Sequence, residues 1–122
     1  MTELHRTAFV RGLHLPWLVV LALWVLGANL LSDGSMQPLP YLPLLNPTDL
    51  MHGLAALYAL RAWRASSDAA PRSVWLMGAA GLGFVWLNGV LIRSLHHWVG
   101  TPMWTNGALD ADTVQTGLTI LW

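Results

Sequence analysis

The chain has no cysteine and no lysine. Without thiols it forms no disulfide, carries no thiolate nucleophile and builds no Cys-ligated zinc or iron–sulfur centre; the redox compartment leaves no mark on it. All six cations are Arg, and charged residues make up 10% of the sequence, against roughly 25% in ordinary soluble domains. Six acidic residues balance the six Arg, so the net charge is zero. No basic field invites nucleic acid, and none is expected as a partner. Hydrophobic residues supply 55% of the 122 positions. A soluble domain of this size covers itself with polar groups, and this chain lacks them. In a bilayer the same length suffices for about four spans.

No charge occurs from Gly12 to Ser32, and Leu15 to Leu31 is almost wholly apolar. As a helix that core covers about 26 Å, close to the ~30 Å hydrocarbon thickness once its flanks are added. A secretory signal peptide is the alternative. The stretch is long for one, and Asn29-Leu30-Leu31-Ser32 offers no small-x-small cleavage site, so a retained span is expected. Asp33 to Asn46 contains Pro38, Pro40 and Pro43 and should be extended or turned. It also carries Tyr41, Leu42, Leu44 and Leu45, which places it in the interface or against protein rather than free in water. Asn46-Pro47-Thr48-Asp49 reads as a helix start: an N-cap, a proline at the first helical position and a carboxylate in the first turn. The helix runs to about residue 64 with Arg61 and Arg64 snorkelling at its end; its uncharged part is short, which leaves a re-entrant or interfacial helix as the alternative.

Residues 61–73 form a polar connector with three Arg, a Ser-Ser-Asp turn and Pro71. Val74 to Ile92 is uncharged and reads as a further span, and its Ala79 and Gly83 form a small-xxx-small pair that would let another helix approach. Residues 99–111 are a loop, after which Asp112 is the expected N-cap of a last helix, with Gln115 in the capping-box position. That helix would reach Trp122 after about 15 Å, half a bilayer, as expected of a piece of a longer reading frame. The expected architecture is therefore all-α: one membrane-embedded region over 1–122, a polytopic bundle with spans at about 15–32, 47–64 and 74–95 and an incomplete fourth at 113–122. Arg6 and Arg11 precede the first span and Arg61, Arg64 and Arg72 lie between the second and third. The positive-inside rule then puts the N-terminus and the 61–73 connector in the cytoplasm and the other two loops outside.

In that topology polar groups gather at the outer end. Asp49 and His52 are one turn apart on one helix face. The third span ends with Asn88, Arg93, His96 and His97, and Asp110, Asp112 and Gln115 open the last helix. In a functional reading Arg93, with Asn88 beside it, would bind an anionic or lipid-linked substrate. His52, His96 or His97 would move a proton, and Asp49 or Asp110 would orient a histidine or act as a base. The structural reading carries more weight. Asp49 and Asp112 sit where carboxylates meet helix amides, Arg93 is within snorkelling reach of the boundary, and a His-His-Trp run is ordinary interfacial anchoring. No metal or cofactor is expected: His96 and His97 point about 100° apart, and one ion would need further ligands. His5 and His14 read as interfacial, and Asn29 and Asn88 as interhelical hydrogen bonds rather than ligands.

The runs Tyr41–Leu50, Trp86–Trp98 and Val114–Trp122 together resemble the C-terminal part of the bacterial predicted membrane protein family called domain of unknown function 2339. Arg93-Ser94-Leu95-His96-His97-Trp98 is the most specific piece, and the likeness covers roughly residues 40–122. The resemblance implies a large, many-helix inner-membrane protein of which this is one internal slice, with the remaining spans and the lipid bilayer as its partners. It implies no established activity. Three functions stay open: an architectural piece, an enzyme acting on an envelope substrate at the outer face, and a transporter. The absence of charge in the middle of the third span argues mildly against a proton relay.

Overall fold

A computed structural model describes residues 3–65 and 72–122. Within them the chain is helix and loop: α1 (Glu3–Leu31), α2 (Pro47–Ala65), α3 (Arg72–Val99) and α4 (Asp112–Leu121), with two single-turn 3-10 helices, Trp104–Asn106 and Ala108–Asp110, before the last. The start of α2 follows its sequence. Asn46 Oδ1 accepts the Asp49 N–H at 3.0 Å, capping the helix, and Pro47 occupies the first position, where an amide proton has no helical partner. The end of α3 is set by Gly100 at φ +81°, whose amide turns back to His96 O and Leu95 O; a left-handed residue without a Cβ closes a helix in this way. The start of α4 departs from expectation. Ala111, not Asp112, is the N-cap, no side chain caps it, and Gln115 Nε2 donates to Leu109 O at 2.8 Å. The single-turn helices bring the chain in so that Asp112 is already helical. The Ser-Ser-Asp turn of the 61–73 connector lies outside the described residues.

Each of α1, α2 and α3 packs against the other two. The C-terminal end of α1, the N-terminal end of α2 and the C-terminal end of α3 meet at one end of the bundle, joined by the 32–46 loop. Val114 of α4 seats against Ile92 of α3 beside Met103 and Ala108, a small apolar cluster that holds the last helix in place. Trp122 adds a ring contact with Phe84, centroids 4.6 Å apart.

The distribution of side chains is inverted relative to a soluble domain. Buried among the described residues are Asn29, Asn46, Asp49, His52, Asn88, Arg93 and Thr101, against only six apolar residues. Leu23, Leu30, Leu54, Leu57, Met77 and Phe84 lie on the outside of the helices, along with many other large apolar groups. Water would penalise that exterior, whereas hydrocarbon would not, and in hydrocarbon the polar groups belong inside. By length and composition one described stretch, Met77–Val99, is apolar enough to cross a membrane; α1 contributes the shorter apolar run Val19–Leu31. The glycine cluster of α3 is open: a Cβ at Gly78, Gly81 or Gly83 would meet nothing within 4 Å, and Ala79 is exposed. The small-xxx-small pair at Ala79 and Gly83 therefore receives no helix from the described residues.

Candidate functional site

The polar interior is one connected cluster at the end of the bundle where the 32–46 loop closes it. Each helix contributes a stripe spaced three or four residues apart: Val25 and Asn29 from α1, Asp49 and His52 from α2, and Val85, Gly89 and Arg93 from α3, with Trp86 next to Val85.

Asp49 and Arg93 form its centre. An Arg93 Nη2 proton is donated to Asp49 Oδ1, and both side chains are 0% exposed. The same carboxylate oxygen accepts the Trp86 indole N–H at 3.1 Å. The other oxygen accepts the Asn46 side-chain amide and the Leu44 backbone N–H. With about four lone-pair sites on a carboxylate, four donors leave Asp49 with no open position for a substrate proton. Arg93 Nη1 donates to Asn29 Oδ1 at 2.8 Å, and Asn29 Nδ2 donates in turn to Val85 O at 2.9 Å. Arg93 Nε is buried without a partner, as is the hydroxyl of nearby Tyr41. A lone charge at this depth would cost several kcal/mol; the pairing and the surrounding donors offset it.

His52 joins the cluster through main chain rather than charge. Its Nδ1 lies 2.6 Å from Thr48 O and its Nε2 3.1 Å from Val25 O, so the ring spans α2 and α1. The Trp24 and Trp86 rings flank it, each with its centroid 6.3 Å away. Ser32, the residue after α1, and Thr48 of α2 add a hydroxyl–hydroxyl bond of 2.7 Å.

The other candidates sit apart from the ion pair. Asn88 faces α4: its amide donates to Phe84 O and its oxygen accepts Trp122 Nε1 at 3.2 Å. The second bond ties α3 to the residue that closes α4, and among the described residues no hydrogen bond joins Asn88 to the Arg93 head group. His96 Nδ1 meets Thr101 O at 2.7 Å, and His97 Nε2 meets Asp33 O at 2.7 Å while its ring stacks on Tyr41 at 4.3 Å. Both histidines fasten loops to the end of α3. Burial pushes the Tyr41 phenol above its usual range. Asp33 carries a carboxyl held below the ordinary value by the Ser35 hydroxyl and amide that donate to it. Asp110 and Asp112 are exposed and do not enter the cluster. Among the described residues no group of three or more His, Asp or Glu is placed to hold a metal ion. Asn29, Trp86 and Tyr41 carry much of the geometry without having been singled out as site residues. A lone asparagine in an apolar run and an indole seven residues before the only Arg of its span were the available signals.

A family model described as "Predicted membrane protein (DUF2339)" matches residues 1–122, the whole chain. No curated protein and no solved structure matches it.

Proposed function

Because the chain belongs to the DUF2339 family of predicted membrane proteins, we propose that it is an architectural unit of a polytopic inner-membrane protein, in which the buried Asp49–Arg93 clasp fixes the register of three membrane-crossing helices. In this reading α1, α2 and α3 all cross, with the N-terminus and the 61–73 connector in the cytoplasm. The clasp lies near the outer boundary and the apolar exterior faces lipid. The observation that carries the proposal is the enclosure of the ion pair. Both side chains are fully buried, and their donors and acceptors all come from the bundle's own helices and the loop that closes it. A charge pair of this kind adds little net stability over an apolar pair but penalises any packing that separates its members.

The alternative, an enzyme or transporter site for an anionic or lipid-linked substrate, needs the Arg93 head group. Both of its terminal nitrogens are already committed, and only Nε lacks a partner. A double-mutant cycle tests the choice. Arg93→Met and Asp49→Leu should each cost about 3–5 kcal/mol, read as loss of thermal stability in detergent and of membrane abundance. The double variant should recover much of that loss, because no charge is left unpaired. If Arg93→Lys keeps stability and abundance while the full-length protein loses its cellular phenotype, the substrate reading takes its place.

A further inference from the structure

We infer that the 32–46 loop is a membrane-inserted cap, its leucines seated in the lipid at the headgroup–acyl boundary of the leaflet next to the Asp49–Arg93 clasp. Leu39, Leu42, Leu44 and Leu45 are 65%, 46%, 51% and 62% exposed. Four large apolar side chains turned outward from one short loop form a surface that water disfavours and that rarely stands alone on a soluble face.

The loop's backbone fits the same environment. Irregular chain is kept out of the hydrocarbon core unless its amides are satisfied internally, and at the headgroup–acyl boundary it fits better the fewer amides are left unbonded. From residue 38 to 46 three positions are proline and have no N–H to satisfy. Of the six remaining amides, four are bonded within the protein: Leu39 to Met36 O, Leu44 to the Asp49 carboxylate, and Leu45 and Asn46 to Leu42 O. The polar side chain of Asn46 and the ring of Tyr41 turn inward and are buried. From residue 38 to 46 the one polar amide side chain, Asn46, is thus spent on the clasp while leucine is presented outside.

Two features favour lipid over a protein partner. The leucines continue the apolar exterior of the helices they join, since Leu30 and Leu31 precede the loop and Leu50 and Met51 follow it, all exposed. The nearby charged groups bring no Arg or Lys to the loop: residues 32–46 and 99–111 contain neither, Asp33 is half-buried and Asp110 is exposed. Insertion therefore rests on apolar contact and not on attraction to anionic headgroups.

This inference depends on the membrane-crossing reading above, and the experiment separates the two. In a cysteine-free background, single cysteines at Leu42, Leu45, Leu54 and Asp110 carry a nitroxide in vesicles of phosphatidylethanolamine and phosphatidylglycerol. Collision with oxygen is compared with collision with a water-soluble nickel chelate. At Leu42 and Leu45 oxygen should dominate, less strongly than at Leu54 on the α2 face, and nickel should dominate at Asp110. If Leu54 is oxygen-dominated while Leu42 and Leu45 favour nickel, the cap is in water and the inference fails. It fails equally if both loop labels are shielded from both reagents, which would mean a protein partner covers them. If Leu54 also favours nickel, the membrane-crossing reading falls with it.

Discussion

Asn29 on α1 occupies the space that a side chain at Gly89 on α3 would need. A Cβ built at Gly89 would lie 1.9 Å from Asn29 Oδ1. The missing methyl lets the asparagine lie along α3, bonded to Val85 O four residues before and to Arg93 four residues after. Gly89→Ala should therefore destabilise the bundle by about 1–3 kcal/mol through overpacking, with the largest share from Arg93 losing a partner. In an open helix position the same change stabilises by up to ~1 kcal/mol. Gly78→Ala, Gly81→Ala and Gly83→Ala should behave in that opposite way, because nothing stands within 4 Å of any of them. Thermal unfolding in detergent reads both signs. A neutral Gly89→Ala would mean that Asn29 does not enter α3.

Trp86 and Asn46 hold the two oxygens of Asp49 separately, so their loss should be graded. Trp86→Phe keeps the ring beside His52 and removes one N–H to Oδ1. That should cost about 1.5–3 kcal/mol, the range for a hydrogen bond to a charged group. Asn46→Ala removes both the cap of α2 and a donor to the other oxygen, and should cost about 2.5–4 kcal/mol from the sum of the two effects. Equal losses in the two variants would show that the cap contributes nothing beyond the carboxylate contact.

The helices were legible because their signals are local. Asn46-Pro47 starts α2, and the uncharged run from residue 74 marks α3, whatever else the chain does. The clasp was legible only in part. Asp49 is the one charge in residues 47–60 and Arg93 the one charge in 74–95, and two lone opposite charges at one depth have strong reason to meet. Free access of Arg93 to an anion did not follow from its position near a boundary. Whether an arginine snorkels or turns inward depends on what the neighbouring helix offers, here the Asn29 oxygen and the Asp49 carboxylate. Nothing in the sequence sets Gly89 apart from Gly78 or Gly81, for the same reason. Sequence spacing shows that a glycine is on a helix, while only the packed structure shows which glycine another side chain fills.

Asp33 gives the loop a pH-dependent contact outside the bundle. The Ser35 hydroxyl donates to it at 2.7 Å and the Ser35 amide at 3.0 Å, and both lower its carboxyl pKa from 3.8. A depressed carboxyl contributes stability that is present above its ordinary value and is lost as pH falls through the lower folded value. Ser35→Ala should raise the Asp33 titration toward 3.8 in a carboxyl-selective NMR experiment, with no change near neutral pH. An unmoved titration would show that the turn does not persist in solution.

The orientation of the clasp decides which compartment its end of the bundle faces, and a pair of labels checks it. A cysteine at Gly107 would suit the loop by position, but Gly107 sits at φ +87° with Asp110 Oδ2 only 3.2 Å from an added Cβ, so a substitution there is strained. Asn106 is exposed and helical and serves in its place. Asn106→Cys should react with an impermeant thiol reagent added to intact cells. Ser67→Cys, in the segment between Arg64 and Arg72, should react only after the membrane is opened. Arginines are retained on the cytoplasmic side during insertion, and α2 and α3 each run from that connector to the clasp end. The two labels must therefore behave oppositely if both helices cross. Reaction of both from outside would leave α2 and α3 on one surface. The reversed pattern would keep the bundle but turn the clasp, and the leucine cap with it, toward the cytoplasm.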